Sequence, residues 1–303
     1  MASSPGGGQG LTLHEAARQM GVPFTQENEP ADRDIQVNGM NFHYLEWGDA
    51  ANPTVLMLHG ASQQAHSWDF VSLALSDRFH ILALDQRGHG DSGWATDGNY
   101  SIEAHQGDID GFVRARGLNG FVLMGHSMGG RNSYVWASRH PGTLSALVIV
   151  DVGPDTERRG RERIQRFQQL PDELDSFEEF ARRVQEYTGR SQEQVVGALK
   201  YSIRQRSDGK WTWKYDKAIR TPGRRETDMT PEQMWECVGR IDCPTLVVRG
   251  DRSDIFREET MGRMQETIAD CVTVTVAGAG HLVQGDNPVD FVAAVQDLLR
   301  RVY

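Results

Sequence analysis

Residues 121–130 read Phe121-Val122-Leu123-Met124-Gly125-His126-Ser127-Met128-Gly129-Gly130, and a helix-like segment, Arg131–Arg139, follows at once. The first four residues are a continuous apolar run, the pattern of a strand buried on both faces of a sheet. Glycines on either side of a serine let the chain turn sharply from strand to helix without Cβ clashes. The turn lifts the serine hydroxyl above the sheet edge at a helix N-terminus, where free amides and the positive dipole end favour developing negative charge. Ser127 is therefore a candidate nucleophile. The plain competing reading is a glycine-rich helix cap without chemistry.

Outward from this stretch, similar runs recur at Val55–Leu58, Phe79–Leu84, Leu147–Val150, Thr245–Val248 and Val272–Val276. Most are continuous rather than alternating, and helix-like segments separate them at Ile102–Arg116, Glu258–Ile268 and Val289–Arg301. Such alternation predicts an α/β fold, a mostly parallel sheet with helices on both faces. Ile35–Met40 and Phe42–Trp47, joined at Asn38-Gly39, read as a β-hairpin. Residues 1–33 read as an N-terminal extension, with a Gly/Ser-rich start over Met1–Gly10 expected to be disordered and a short amphipathic stretch at Leu11–Met20.

The alternation breaks after Val150 and resumes at Thr245. Residues 154–239 are polar and helical in pattern, with a capping box at Ser191 and Gln194 and a helix start at Thr230-Pro231. A helical cap inserted after the sixth strand is the simplest account. It divides the chain into an extension (1–33), a core (34–153 and 240–303) and a cap (154–239). The cap holds 17 of the 32 basic residues and 16 of the 42 acidic ones. It is nearly neutral, and the body carries the acidic excess.

Composition narrows the class. A chain of 303 residues with 38% hydrophobic and 24% charged residues can bury a sizeable core. A net charge of -10 argues against a nucleic-acid surface, and no apolar run is long enough to span a bilayer. Neither a secretory signal nor paired cysteine spacing is present, since Cys237, Cys243 and Cys271 stand apart; a reduced, cytoplasmic protein is expected. A small-molecule substrate is the expected partner, without nucleic acid, membrane, metal or cofactor; homo-oligomerisation stays open.

A serine hydroxyl needs a base, and the base an orienting carboxylate. His281, in Gly278-Ala279-Gly280-His281 after the last strand, is the best placed of ten histidines. Two acids fall on suitable loops: Asp254 after the strand Thr245–Val248, and Asp151 at the end of Leu147–Val150.

Ser127, His281 and a downstream Asp, with His59-Gly60 after one strand and Asp85-Gln86-Arg87-Gly88-His89-Gly90-Asp91-Ser92 after the next, resemble the α/β-hydrolase superfamily. The cap-bearing esterases, lactonases and meta-cleavage-product hydrolases are the most similar group. The resemblance spans about 35–153 and 240–303. It implies an oxyanion hole from the amides of Ala61 and Met128. It favours Asp254 as the acid, since the family acid usually follows the seventh strand; members that place it after the sixth keep Asp151 open. It also implies that Asp85 and Arg87 brace the oxyanion turn. A serine at the nucleophile position sets the chain apart from dehalogenases and epoxide hydrolases, which carry Asp there.

The expected activity is thus cleavage of a small carboxylic ester, lactone or amide through an acyl-enzyme. Hydrolysis of a C–C bond with the same triad is the enzymatic rival, and a small-molecule receptor that retains the triad is the rival of another class. Arg131 is placed to meet a substrate carboxylate or a cap acid. Trp211, Trp213 and Tyr215 share one strand face, which either lines the pocket or packs the cap.

Overall fold

The computed structural model describes residues 11–220 and 229–303. The expected disorder of Met1–Gly10 and part of the inserted cap, residues 221–228, lie outside the described residues. A helix α1 (Leu13–Met20) opens the chain under a capping box of Thr12 and Glu15. The hairpin follows as β1 (Ala31–Val37) and β2 (Met40–Trp47), with both Asn38 and Gly39 at positive φ, as its two-residue turn requires. Next come β3 (Thr54–Leu58), α2 (Asp69–Leu75), β4 (His80–Leu84), α3 (Ile102–Ala115), β5 (Phe121–His126), α4 (Met128–Arg139) and β6 (Leu144–Val150).

The insertion contains α5 (Arg158–Gln168), β7 (Glu173–Leu174), α6 (Phe177–Thr188), α7 (Gln192–Ser202), β8 (Ile203–Gln205), β9 (Trp211–Trp213) and α8 (Pro231–Val238). The body resumes with β10 (Thr245–Gly250), α9 (Glu258–Thr267), β11 (Cys271–Val276), α10 (Val283–Asp286) and α11 (Pro288–Val302). Among the described residues the main sheet has eight strands in the order β1-β2-β4-β3-β5-β6-β10-β11. All pairs from β4 to β11 are parallel, and only the hairpin edge is antiparallel.

Strand alternation sends side chains to two cores. Val55, Met57, Val122 and Met124 face one cluster, closed by Val71 of α2 and Phe291 of α11. Leu56, Leu58, Phe121 and Leu123 face the other, closed by Phe112 of α3, Tyr134 of α4, Val238 of α8 and Met264 of α9. The strands are apolar on both faces because helices cover both. No helix among the described residues is long and apolar enough to cross a membrane.

Two expectations need correction. Residues 1–33 are not a free extension throughout: Ala17 of α1 and Val22 are buried in the first core, and β1 begins at Ala31. The cap is also not purely helical. Strands β7, β9 and β8 form a three-stranded antiparallel sheet, and Leu174, Phe180, Val195, Leu199 and Trp213 give it a core of its own. The expected capping box at Ser191 and helix start at Thr230-Pro231 are both present. Helix α8 packs into the body, as the crossover between parallel β6 and β10 must.

Candidate active site

Ser127 occupies the turn between β5 and α4 at φ 51 and ψ -114. A non-glycine residue at positive φ costs roughly 1–3 kcal/mol and persists only when its surroundings impose it. Here they do. A Cβ on Gly125 would sit 2.3 Å from the Gly129 carbonyl oxygen, and one on Gly129 would sit 2.2 Å from that of Leu58. The two glycines are needed because backbone passes on both sides of the serine. The Ser127 amide donates to Val150 O (2.9 Å), which pins the turn to the end of β6.

His281, between β11 and α10, faces this serine. Its Nε2 lies 3.0 Å from Ser127 Oγ, and its Nδ1 lies 2.7 Å from Asp151 Oδ2. A neutral imidazole protonated at Nδ1 satisfies both: it donates to the carboxylate and accepts from the hydroxyl. Asp151 is fully buried. It also accepts from the Gly250 amide (3.0 Å) and the Ser253 hydroxyl (2.6 Å), so its charge is well hydrogen-bonded.

The preference for Asp254 is therefore corrected. Its carboxylate is paired in two-pronged fashion with Arg163 of α5 (2.7 and 2.9 Å), not with His281. Burial alone would raise the Asp254 carboxyl, but the hydrogen bonds and charge of Arg163, together with a backbone hydrogen bond and the nearby His281, hold it low. The loop after β10 reaches the imidazole only indirectly, through Gly250 and Ser253. Asp151 reaches it because its own φ is 52, which swings the side chain off the end of β6.

The turn at 59–62 lies against the nucleophile turn. A Cβ on Gly60 would meet His126 Nδ1 at 2.6 Å. His59 Nδ1 donates to Gly60 O (2.8 Å), the Gln86 amide donates to His59 Nε2 (2.9 Å), and Gln63 Oε1 accepts from the Gly60 amide (3.1 Å). These bonds hold the segment that carries Ala61. Asp85 accepts from the Ala65 amide (2.6 Å), the Asp91 amide (2.9 Å) and His43 Nδ1 (2.8 Å), which is the bracing expected of it. Arg87 pairs with Asp108 and donates to Asn99 O.

His126 was not singled out for the site by its sequence, yet its Nε2 donates to the His281 carbonyl (2.7 Å). Burial, then the neighbouring His281, pushes its pKa well below the usual histidine range, so it stays neutral. Nothing in the spacing of the motif signals this contact, which spans 155 residues.

His43, Asp85 and Asp91 are close enough together to hold a cation, but their atoms already have partners: His43 bonds Asp85 and Asp32, and Asp91 pairs with Lys214. Burial alone would push the His43 pKa down, but the bond to Asp85 and its charge prevail and raise it from 6.5 to about 9. A folded pKa above the unfolded one adds stability below about pH 6.5 that is lost as pH rises through about 9. The thermal midpoint of His43→Gln should accordingly vary less over that window than that of the unmutated chain. Equal slopes in unfolding scans would refute the pairing.

The remaining candidates divide. Arg131 lies half-buried in the first turn of α4. Trp213 and Trp211 do not stand out as site residues: they meet Phe180 and Phe177 of α6 edge-on, so the shared face packs the cap's interior. Three cap cations reach carboxylates of the body. Arg163 binds Asp254, Arg190 binds Asp286 and Lys214 binds Asp91, each joining cap to body.

A strained serine turn after the fifth strand, a histidine after the last and an acid between them in sequence can be compared with known proteins. The family model described as alpha/beta hydrolase fold matches residues 53–288. The chain belongs to that family. Within it, the esterase Rv0045c of Mycobacterium tuberculosis is 29% identical over 298 residues, covering 95% of this chain and 94% of that protein. The N-formylmaleamate deformylase of Pseudomonas putida is 28% identical over 272 residues, covering 89% and 96%. The crystal structure of an alpha/beta hydrolase from Novosphingobium aromaticivorans superposes with a TM-score of 0.82 at 28% identity, covering 91% of this chain and all of that one. Like the α/β hydrolases around it, the chain is a hydrolase.

Proposed function

We propose that the chain is a serine hydrolase that cleaves a small carboxylic ester, lactone or amide through an acyl-enzyme. The observation that carries this reading is the unbroken chain of contacts from Asp151 through His281 to Ser127, 2.7 and 3.0 Å long. Ser127 Oγ attacks the substrate carbonyl while His281 Nε2 takes its proton. Asp151 holds the imidazole in the tautomer that accepts, and stabilises the imidazolium that results. The amides of Ala61 and Met128 receive the oxyanion. His281 then returns the proton to the leaving group and activates the water that releases the acyl group.

An esterase and a deformylase among its relatives fit acyl transfer at a serine. The ion pairs of Arg163, Arg190 and Lys214 commit those three cations to seating the cap. The test is a fluorophosphonate probe followed by mapping of the labelled peptide, alongside a panel of p-nitrophenyl esters, lactones and formamides. Labelling at Ser127, with turnover above about 1 per second on a good substrate, is the expected result. Labelling of another serine would sink the assignment. Acylation of Ser127 without turnover would favour a receptor.

A further inference from the structure

We propose that Arg190, in the cap, is a positioning residue for His281 and acts on it through Asp286. Arg190 follows Gly189, whose left-handed conformation ends α6 and turns the chain toward the body. Its Nε and Nη2 both bond one oxygen of Asp286 (3.0 and 2.6 Å). The other oxygen of Asp286 accepts from the Gly280 amide (2.9 Å), and Gly280 is the residue immediately before His281. The cap is thereby linked by two consecutive bonds to the backbone that carries the imidazole.

The fit at this contact is close. A Cβ on Gly285 would come 2.7 Å from Arg190 Nη2, so the glycine makes room for the guanidinium. The pair is largely shielded, at 19% and 21% side-chain exposure, which makes it stronger than a surface ion pair. From its far side the His281 carbonyl is held by His126. With Arg190 in place, the loop is fixed from the cap and from the sheet. Without it, Asp286 loses its orientation and the Gly280 amide its acceptor. Displacement of a reacting group by about 1 Å can cost on the order of 10²-fold in rate.

The inference rests on the serine-hydrolase reading, and its test separates the two. Arg190→Met should lower kcat and the rate of fluorophosphonate labelling together, by about 10- to 100-fold, with KM within about threefold. Free guanidinium should restore part of the loss in the variant and none in the unmutated enzyme. Arg158→Ala, on the exposed face of α5, should change nothing. Should Arg190→Met fail to fold, Asp286→Asn, which keeps the shape and an acceptor for Gly280 but removes the ion pair, should show the same split. A raised KM with an unchanged labelling rate would reduce Arg190 to a cap anchor and overturn the proposal, as would no change at all. Absence of Ser127 labelling in the unmutated enzyme would instead defeat the hydrolase reading.

Discussion

Asp151→Asn should lower kcat by about 10⁴-fold, while Asp254→Asn stays within about fivefold of the unmutated enzyme. The first figure follows from hydrogen-bond direction. The Gly250 amide can only donate, and it donates to Asp151 Oδ1, so an asparagine there would keep its oxygen on that side and place its NH2 at the Oδ2 position, facing His281 and the Ser253 hydroxyl, which can turn to accept. The imidazole would then accept at Nδ1 and carry its proton at Nε2, facing the Ser127 hydroxyl it must deprotonate. Asp254→Asn would weaken only a part-exposed ion pair with Arg163. Steady-state kinetics on one ester, with both variants shown to be folded, decides between the two acids. The opposite ranking would mean that the loop after β10 rearranges in the working enzyme.

Ser127→Gly should abolish more than about 10⁵-fold of kcat and yet raise the thermal midpoint. Glycine takes φ 51 without strain, so the variant sheds a backbone cost of roughly 1–3 kcal/mol while losing the hydroxyl. Ser127→Ala loses the same activity but keeps the Cβ and most of the strain. A midpoint of Ser127→Gly at or below that of Ser127→Ala would show that the turn stores no strain. Activity of either variant within tenfold of the unmutated enzyme would remove Ser127 from the chemistry.

The body was legible in the sequence because its strands are apolar on both faces and each ends in a small or polar residue. Ser127 was legible for a related reason, since it follows β5 directly and the local backbone places it; His281 was legible by its position in the loop between the last strand and the C-terminal helices. The acid was not. Asp151 and Asp254 both follow apolar strands, and the choice depends on how far each loop travels before the side chain turns. Asp151 turns at once, at a positive φ that aspartate tolerates but that the apolar run before it does not signal, whereas the 250–254 loop extends outward to the cap. The docking of α1 was hidden for a different reason. Ala17 and Val22 become core only against the first face of the sheet, far from them in sequence. Of the cap strands only β9 was legible, in the alternation of Trp211, Trp213 and Tyr215; β7 and β8 escaped notice because they run for only 2 and 3 residues.

The independent hydrophobic centre of the cap bears on how such enzymes diversify. A lobe that buries its own Phe180 and Trp213, and that leaves and rejoins the body around one crossover, has the form of an exchangeable module. The exchange is nevertheless not free. The partners of Arg163 and Arg190 lie in the body, at Asp254 on the loop after β10 and at Asp286 at the end of α10, in the segments next to Asp151 and His281. A recombined lobe would inherit those carboxylates without its own cations to meet them. The smallest unit that can be inherited intact is therefore the lobe together with both of these body segments, so lineages that change their lid should be found to change these two positions with it.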